Sequence, residues 1–151
     1  MIGGAKKIFL DTNVLVFSTA VRAPLHQTAR QAIQEQHVAG AEIWISRQVL
    51  REYLATLSRP QTFSNPQPPD ILVADVRSFI NQFFIAEDSA QVTERLLELL
   101  QQFPTGGKQV HDVNIVATML AYGIPSLLTN NTDDFVRFAG HLTVVPLTTN
   151  P

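Results

Sequence analysis

The chain has 151 residues, of which 45% are hydrophobic and 16% charged, with a formal net charge of −2. That length fits one domain, able to bury roughly two-thirds of the surface its unfolded form exposes, with the composition of a soluble globular protein. The lack of cysteine excludes a disulfide framework, a thiolate metal site and a cysteine nucleophile, and the charge excludes nucleic-acid binding through a global basic field.

In chain order, Met1 to Lys7 lacks the apolar core of a signal peptide. No apolar run approaches the roughly 18 residues needed to span a bilayer, so a cytoplasmic location is expected and a membrane partner is not. Strands are predicted at Lys7–Asp11, Glu42–Ile45, Phe83–Ala86, Ser126–Thr129 and Thr143–Val145. Helices are predicted at Asn13–Ala20, His26–Val38, Arg47–Leu57, Asp70–Asn81, Ala90–Phe103, His111–Tyr122 and Asp133–Phe138. Ser46 reads as an N-cap, and Asp88 with Gln91 as a capping box. Gly123 followed by Pro125 stops the sixth helix.

The stretch Arg59–Pro69 holds four prolines. It reads as a surface loop joining two helices, either a plain connector or a flap. Residues 147–151 read as a short polar tail. Alternation of strands and helices implies an α/β fold, a single domain over residues 1–151 with a central, mostly parallel five-stranded sheet flanked by helices on both faces.

Such a sheet places its ligand site outside the carboxyl ends of its strands. Asp11 ends the first strand, and Asp133 and Asp134 follow the strand Ser126–Thr129. Asp112 lies at the N-terminus of an antiparallel helix, and Glu52 within the first two turns after the second strand. Topology therefore sends these acids to one rim. Each has a local explanation too: Asp11 as a helix cap, Asp112, Asp133 and Asp134 as first-turn acids favoured by the helix dipole, Glu52 as a solvated residue.

Carboxylates brought together repel, and some would take up protons unless a cation joined them. A hard divalent ion, Mg²⁺ or Mn²⁺, suits oxygen donors and phosphate substrates, and can activate water for in-line attack. Zinc is disfavoured because the four histidines show no paired ligand spacing. His111 beside Asp112 reads first as a local hydrogen-bonder.

Four stretches, "IFLDTNVL" (Ile8–Leu15), "SRQVLREYLATL" (Ser46–Leu57), "HDVNIVATMLAYGI" (His111–Ile124) and "LLTNNTDDF" (Leu127–Phe135), together resemble the PIN-domain family, and within it the VapC-type toxins. The resemblance implies a Rossmann-like fold and a metal-dependent endoribonuclease, often a homodimer neutralised by a cognate antitoxin. Carried over by position, Asp11, Glu52 and Asp112 match the first three family acids. Asn131 stands where many members carry an acid, Asp134 matches the acid before Phe135, and Asp133 is a neighbour able to substitute. Asn13 matches a residue that fixes the loop around Asp11, and Thr129 the polar residue at the strand end.

The resemblance thus implies Asp11 and Asp112 as ligands of Mg²⁺ or Mn²⁺, with Glu52 and Asp134 completing the catalytic set. Attack of an activated water would leave 5′-phosphate and 3′-hydroxyl ends. Arg47 and Arg51, or Lys6, Lys7 and Lys108, are candidate RNA contacts, each equally readable as part of a solvated face. Two rival functions are an inert RNA- or protein-binding scaffold, favoured by Asn131, and a small metal-dependent phosphatase. The latter is disfavoured because Asp11-Thr12-Asn13 offers no second acid.

Overall fold

Ile8, Phe9 and Leu10 are wholly buried. A consecutive apolar run of this kind belongs in a parallel strand covered on both faces. The computed structural model describes residues 4–148, so residues 1–3 of the N-terminal segment and 149–151 of the expected tail lie outside the described range. The strands are β1 (Lys7–Leu10), β2 (Glu42–Ser46), β3 (Phe84–Ala86), β4 (Ser126–Thr129) and β5 (Thr143–Pro146). The α-helices are α1 (Thr12–Thr19), α2 (His26–Val38), α3 (Arg47–Leu57), α4 (Pro69–Gln82), α5 (Ala90–Gln102) and α6 (Gln109–Tyr122).

All strand pairs are parallel, in the order β3-β2-β1-β4-β5. Phe9 stands between Trp44 and Leu127 in register. Helix α1 packs on α2 and α3, whereas α5 packs on α6. Right-handed crossovers put these two groups on opposite faces. The chain leaves β1 toward β2 and β3, then returns to β4 on the other side of β1. The topological switch point, where such sheets bind ligands, is therefore the crevice between the carboxyl ends of β1 and β4.

Local chemistry sets the element ends. Ser46 caps α3 through a bond from the Val49 N–H at 3.3 Å. The expected capping box at Asp88 is displaced by one residue: the Ser89 hydroxyl caps α5, accepting from Val92 N–H. Helix α1 starts one residue earlier than expected, because Asp11 is its N-cap and not the last residue of β1. Gly123 ends α6 with φ 66°, and the Ile124 N–H reaches the Met119 carbonyl at 2.9 Å. That is the left-handed helix stop which glycine accommodates best.

The helix expected over Asp133–Phe138 does not form. Two 3₁₀ turns replace it, Thr132–Asp134 and Val136–Phe138, separated by Phe135. Phe135 and Phe138 are fully buried, so the segment plants two aromatic anchors instead of continuing one helical axis. Leu147 is also buried, with its N–H bonded to the Thr129 carbonyl, so the polar tail starts later than expected. Among the described residues no helix is long and apolar enough to cross a membrane.

Gly123→Ala should cost about 1 kcal/mol, since an alanine side chain is strained in the left-handed region. A drop of about 2–4 °C in melting temperature is expected for a domain this size, and an unchanged melting curve would contradict the role given to this residue.

Candidate active site

Asp11 lies at the switch point with 6% of its surface exposed. One oxygen, Oδ1, accepts from the Thr12 N–H at 2.8 Å. The other, Oδ2, accepts from the Thr129 hydroxyl at 2.7 Å and from Asn13 Nδ2 at 3.0 Å. Burial still pushes the Asp11 carboxyl above its ordinary value, against the pull of these donors, with the Glu52 charge adding to the rise. Asn13 Oδ1 accepts from the Asn130 N–H, and the Thr129 hydroxyl from the Asn131 N–H. The strand-end threonine and the asparagine two residues after Asp11 therefore orient its carboxylate and tie it to the loop after β4.

Glu52 is half-buried on α3. Its Oε1 accepts from the Thr12 hydroxyl at 2.6 Å and its Oε2 from Gln48 Nε2 at 3.0 Å. Gln48, itself buried, also donates to the His111 carbonyl and accepts from Asn114 Nδ2. It locks α3 to the start of α6, where Asp112 sits. Thr12, Gln48 and Asn114 were not singled out in the sequence; the available signal for Gln48 was a polar residue one turn before Glu52 on the buried side of an amphipathic helix.

Asp112 is half-buried in the first turn of α6. Burial raises its carboxyl most, followed by the negative charges of Asp11, Asp134 and Glu52, while His111 pulls the other way; the result is about 6. The acids expected at this rim thus act on one another. Asp134 belongs to this group. Asp133 lines a separate hollow with Val136 and Pro146 beside β5, because adjacent residues of a 3₁₀ turn diverge by roughly a third of a turn. Asn131 is exposed and lines the cleft beside Asp11. That cleft holds about 460 Å³ and includes Glu52, Asp112 and two residues of the proline-rich loop, Gln61 and Phe63. A larger hollow of about 730 Å³ between α2 and α4 contains none of the rim acids.

The candidate cations are placed less favourably. Arg47 is engaged by Glu87 through two bonds of 2.9 and 2.8 Å. Lys6 and Lys7 lie at the amino end of β1, the opposite edge from Asp11, and Lys7 sits over the Trp44 ring at 5.6 Å. Arg51 and Lys108 are exposed, and neither makes an ion pair among the described residues.

The model of the PIN domain matches residues 8–141, which spans all four acidic stretches. The chain belongs to the PIN-domain family. No curated protein matches it. Its fold is similar to that of VapBC2 from Rickettsia felis, solved bound to a promoter DNA fragment, with 22% identity, TM-score 0.68, and 93% of this chain and 98% of that one covered. A toxin–antitoxin complex from Klebsiella pneumoniae matches at 23% identity and TM-score 0.67, covering 93% and 98%. Mycobacterium tuberculosis VapC20, described as a toxin that cleaves the sarcin–ricin loop, matches at 19% and 0.64, covering 92% and 99%.

The donors at this PIN-domain rim are hard carboxylate oxygens, which suit Mg²⁺ or Mn²⁺ better than zinc. Among the described residues no three His, Asp or Glu side chains stand close enough to hold an ion by themselves. Any ion here would be held by one or two of these carboxylates with water completing its shell, the usual manner for Mg²⁺.

Without bound cation, the raised Asp112 value has a definite sign. The folded state binds the proton more tightly than the unfolded chain. This contribution is therefore fully present below the ordinary aspartate value and is lost as pH rises through about 6. Asp112→Asn should raise the melting temperature at pH 7 in chelator by about 2–4 °C, corresponding to roughly 1 kcal/mol after discounting for solvent screening. The gain should vanish near pH 4; an equal gain at both pH values would show that repulsion is not its source.

Proposed function

We propose that this PIN domain is a metal-dependent endoribonuclease, the toxin of a toxin–antitoxin pair, acting as a homodimer on RNA and neutralised by a cognate antitoxin. The observation that carries the reading is that Asp11, Glu52 and Asp112 line one open cleft at the switch point, with the charge of Asp134 also bearing on Asp112. A fold that keeps these acids together has a use for positive charge there. Support for the biological setting comes from the toxin–antitoxin complexes and the RNA-cleaving toxin that share the fold.

Asp11 and Asp112 would hold the ion, Mg²⁺ or Mn²⁺. When bound, it would offset the carboxylate charge, stabilise charge on the phosphodiester and acidify the attacking water. Asp11 is suited to a fixed position because both its oxygens are already aimed by Thr12, Asn13 and Thr129. Glu52, oriented by Thr12 and Gln48, accepts a hydrogen bond from the incoming water. Asp134 adds its charge to that felt by Asp112. Water oxygen adds to phosphorus as the bond to the 3′ oxygen breaks in line with it; the water's proton passes by way of Glu52 to solvent, and a solvent proton turns the departing oxygen into a hydroxyl.

Asn131, a neutral residue beside Asp11 in the cleft, favours one rival, a catalytically inert scaffold that binds RNA or protein. The phosphatase reading is weaker, because Asn13 spends its side chain on Asp11 and Asn130.

Two measurements separate these readings. Millimolar Mg²⁺ or Mn²⁺ should raise the wild-type melting temperature, since the ion binds the folded state, and Asp11→Asn should remove most of that rise. A structured RNA should be cut by wild type and at least a hundredfold more slowly by Asp112→Asn, an order of loss typical of removing one charged catalytic group. RNA bound but never cut would establish the scaffold instead.

A further inference from the structure

The proline-rich loop has a place in this cleft. From the rim of the acid pocket, Phe63 presents a half-buried ring that also borders the two neighbouring hollows. It meets Phe17 of α1 edge-on, with ring centroids 6.2 Å apart. The loop that carries it is firmly built. Gln61 and Ser64 exchange backbone bonds of 2.8 and 3.3 Å, and Gln61 Nε2 donates to the Thr56 carbonyl at 2.8 Å. Gln67 N–H donates to the Leu57 carbonyl, and its amide to Ser64 Oγ. An aromatic ring so fixed loses little freedom when something packs on it.

Charge argues for what packs there. The cleft floor is acidic, and an incoming phosphodiester is repelled by it. Arg47 is already paired with Glu87, and Lys6 and Lys7 lie at the other sheet edge. Around the floor the wall is neutral: Phe17, Phe63, Gln61, Asn130 and Asn131. Arg51 and Lys108 are exposed, and Arg22 shares the two neighbouring hollows with Phe63; none of the three lines the acid cleft itself, where the contacts on offer are short-range ones to bases. Aromatic rings stack on unpaired bases of any identity, and amide side chains bond their edges.

We infer that Phe63 is a stacking platform for one unpaired base of the RNA strand next to the cleaved bond, with Gln61, Asn130 and Asn131 as the polar surround. This rests on the nuclease reading for the word "cleaved" but not for the binding itself. The loop then selects single-stranded or looped RNA over duplex.

The test uses the full chain and a short single-stranded oligoribonucleotide carrying 2-aminopurine at successive positions. In chelator, where binding is read without cleavage, wild type should quench the fluorophore at one position. Phe63→Leu, which keeps apolar volume but has no ring, should weaken binding by roughly 5- to 100-fold, while Phe63→Tyr should restore it. An abasic nucleotide at the quenched position should make wild type and Phe63→Leu bind equally. With metal added, Phe63→Leu should raise KM and leave kcat near wild type. Equal binding by wild type and Phe63→Leu, or a loss that the abasic strand fails to erase, overturns the platform. Ring-dependent binding without any cleavage supports the platform while overturning the nuclease. No binding in chelator overturns the platform, while the nuclease reading stands or falls separately on cleavage with metal added; melting curves of the variants check that each is folded.

Discussion

The Asp11 carboxylate is the point at which β1, α1 and β4 are joined. One oxygen caps α1 and the other accepts from the end of β4. Asn13 and Thr129 then pass the connection on to the backbone of Asn130 and Asn131. Burying a charge is costly unless hydrogen bonds replace its water, and here three donors partly do so. The carboxyl still stands above its ordinary value, so compensation falls short. A helix cap and a catalytic acid are usually weighed as rival explanations of such a residue. At Asp11 the two are compatible, since the cap geometry would also fix the carboxylate for the proposed catalytic role.

The rest of the rim is set against local stability in the same way. Among the described residues the ion pairs are Arg47–Glu87 and Arg95–Glu98, and neither involves a rim acid. A lysine or arginine beside Asp112 would relieve its repulsion and lower its proton affinity. Instead, neutral groups orient the acids: Thr12 and Gln48 for Glu52, Thr129 and Asn13 for Asp11. Neutral donors fix positions without filling the electrostatic hollow. A site that departs from local consistency in this manner is where function is expected.

That distinction also explains what the sequence revealed. Helices α2 and α3 and strand β4 have the boundaries read from the apolar pattern, since there periodicity, caps and breakers agree. The acids were legible because strand order alone sends Asp11, Glu52, Asp112 and Asp134 to one edge. Gln48 was not, because its meaning lies in Asn114, 66 residues away. Arg47 was readable either as an RNA contact or as part of a solvated face, and its pairing with Glu87, 40 residues on, was not visible in the sequence for the same reason. The stretch Asp133–Phe138 carried helical periodicity, but burial of both Phe135 and Phe138 overrode it. Asp133 and Asp134, adjacent in sequence, were separated only by that 3₁₀ geometry.

Chemistry and affinity are consequently assigned to different parts of the cleft. In the proposed nuclease the carboxylates would repel a phosphodiester until a cation intervened, so they would not also be what gathers the strand. A net charge of −2 offers no long-range attraction to make up the difference. Within the cleft, which no lysine or arginine lines, contact is at van der Waals and hydrogen-bond range, and Phe63 with its neighbouring amides offers both kinds. Such contacts require bases that are already unstacked, whereas a duplex presents mainly phosphates and sugars. On the proposed reading, an acidic floor beneath a neutral aromatic wall would discriminate by RNA conformation before base identity, using residues from a loop whose sequence reads as either a plain connector or a flap.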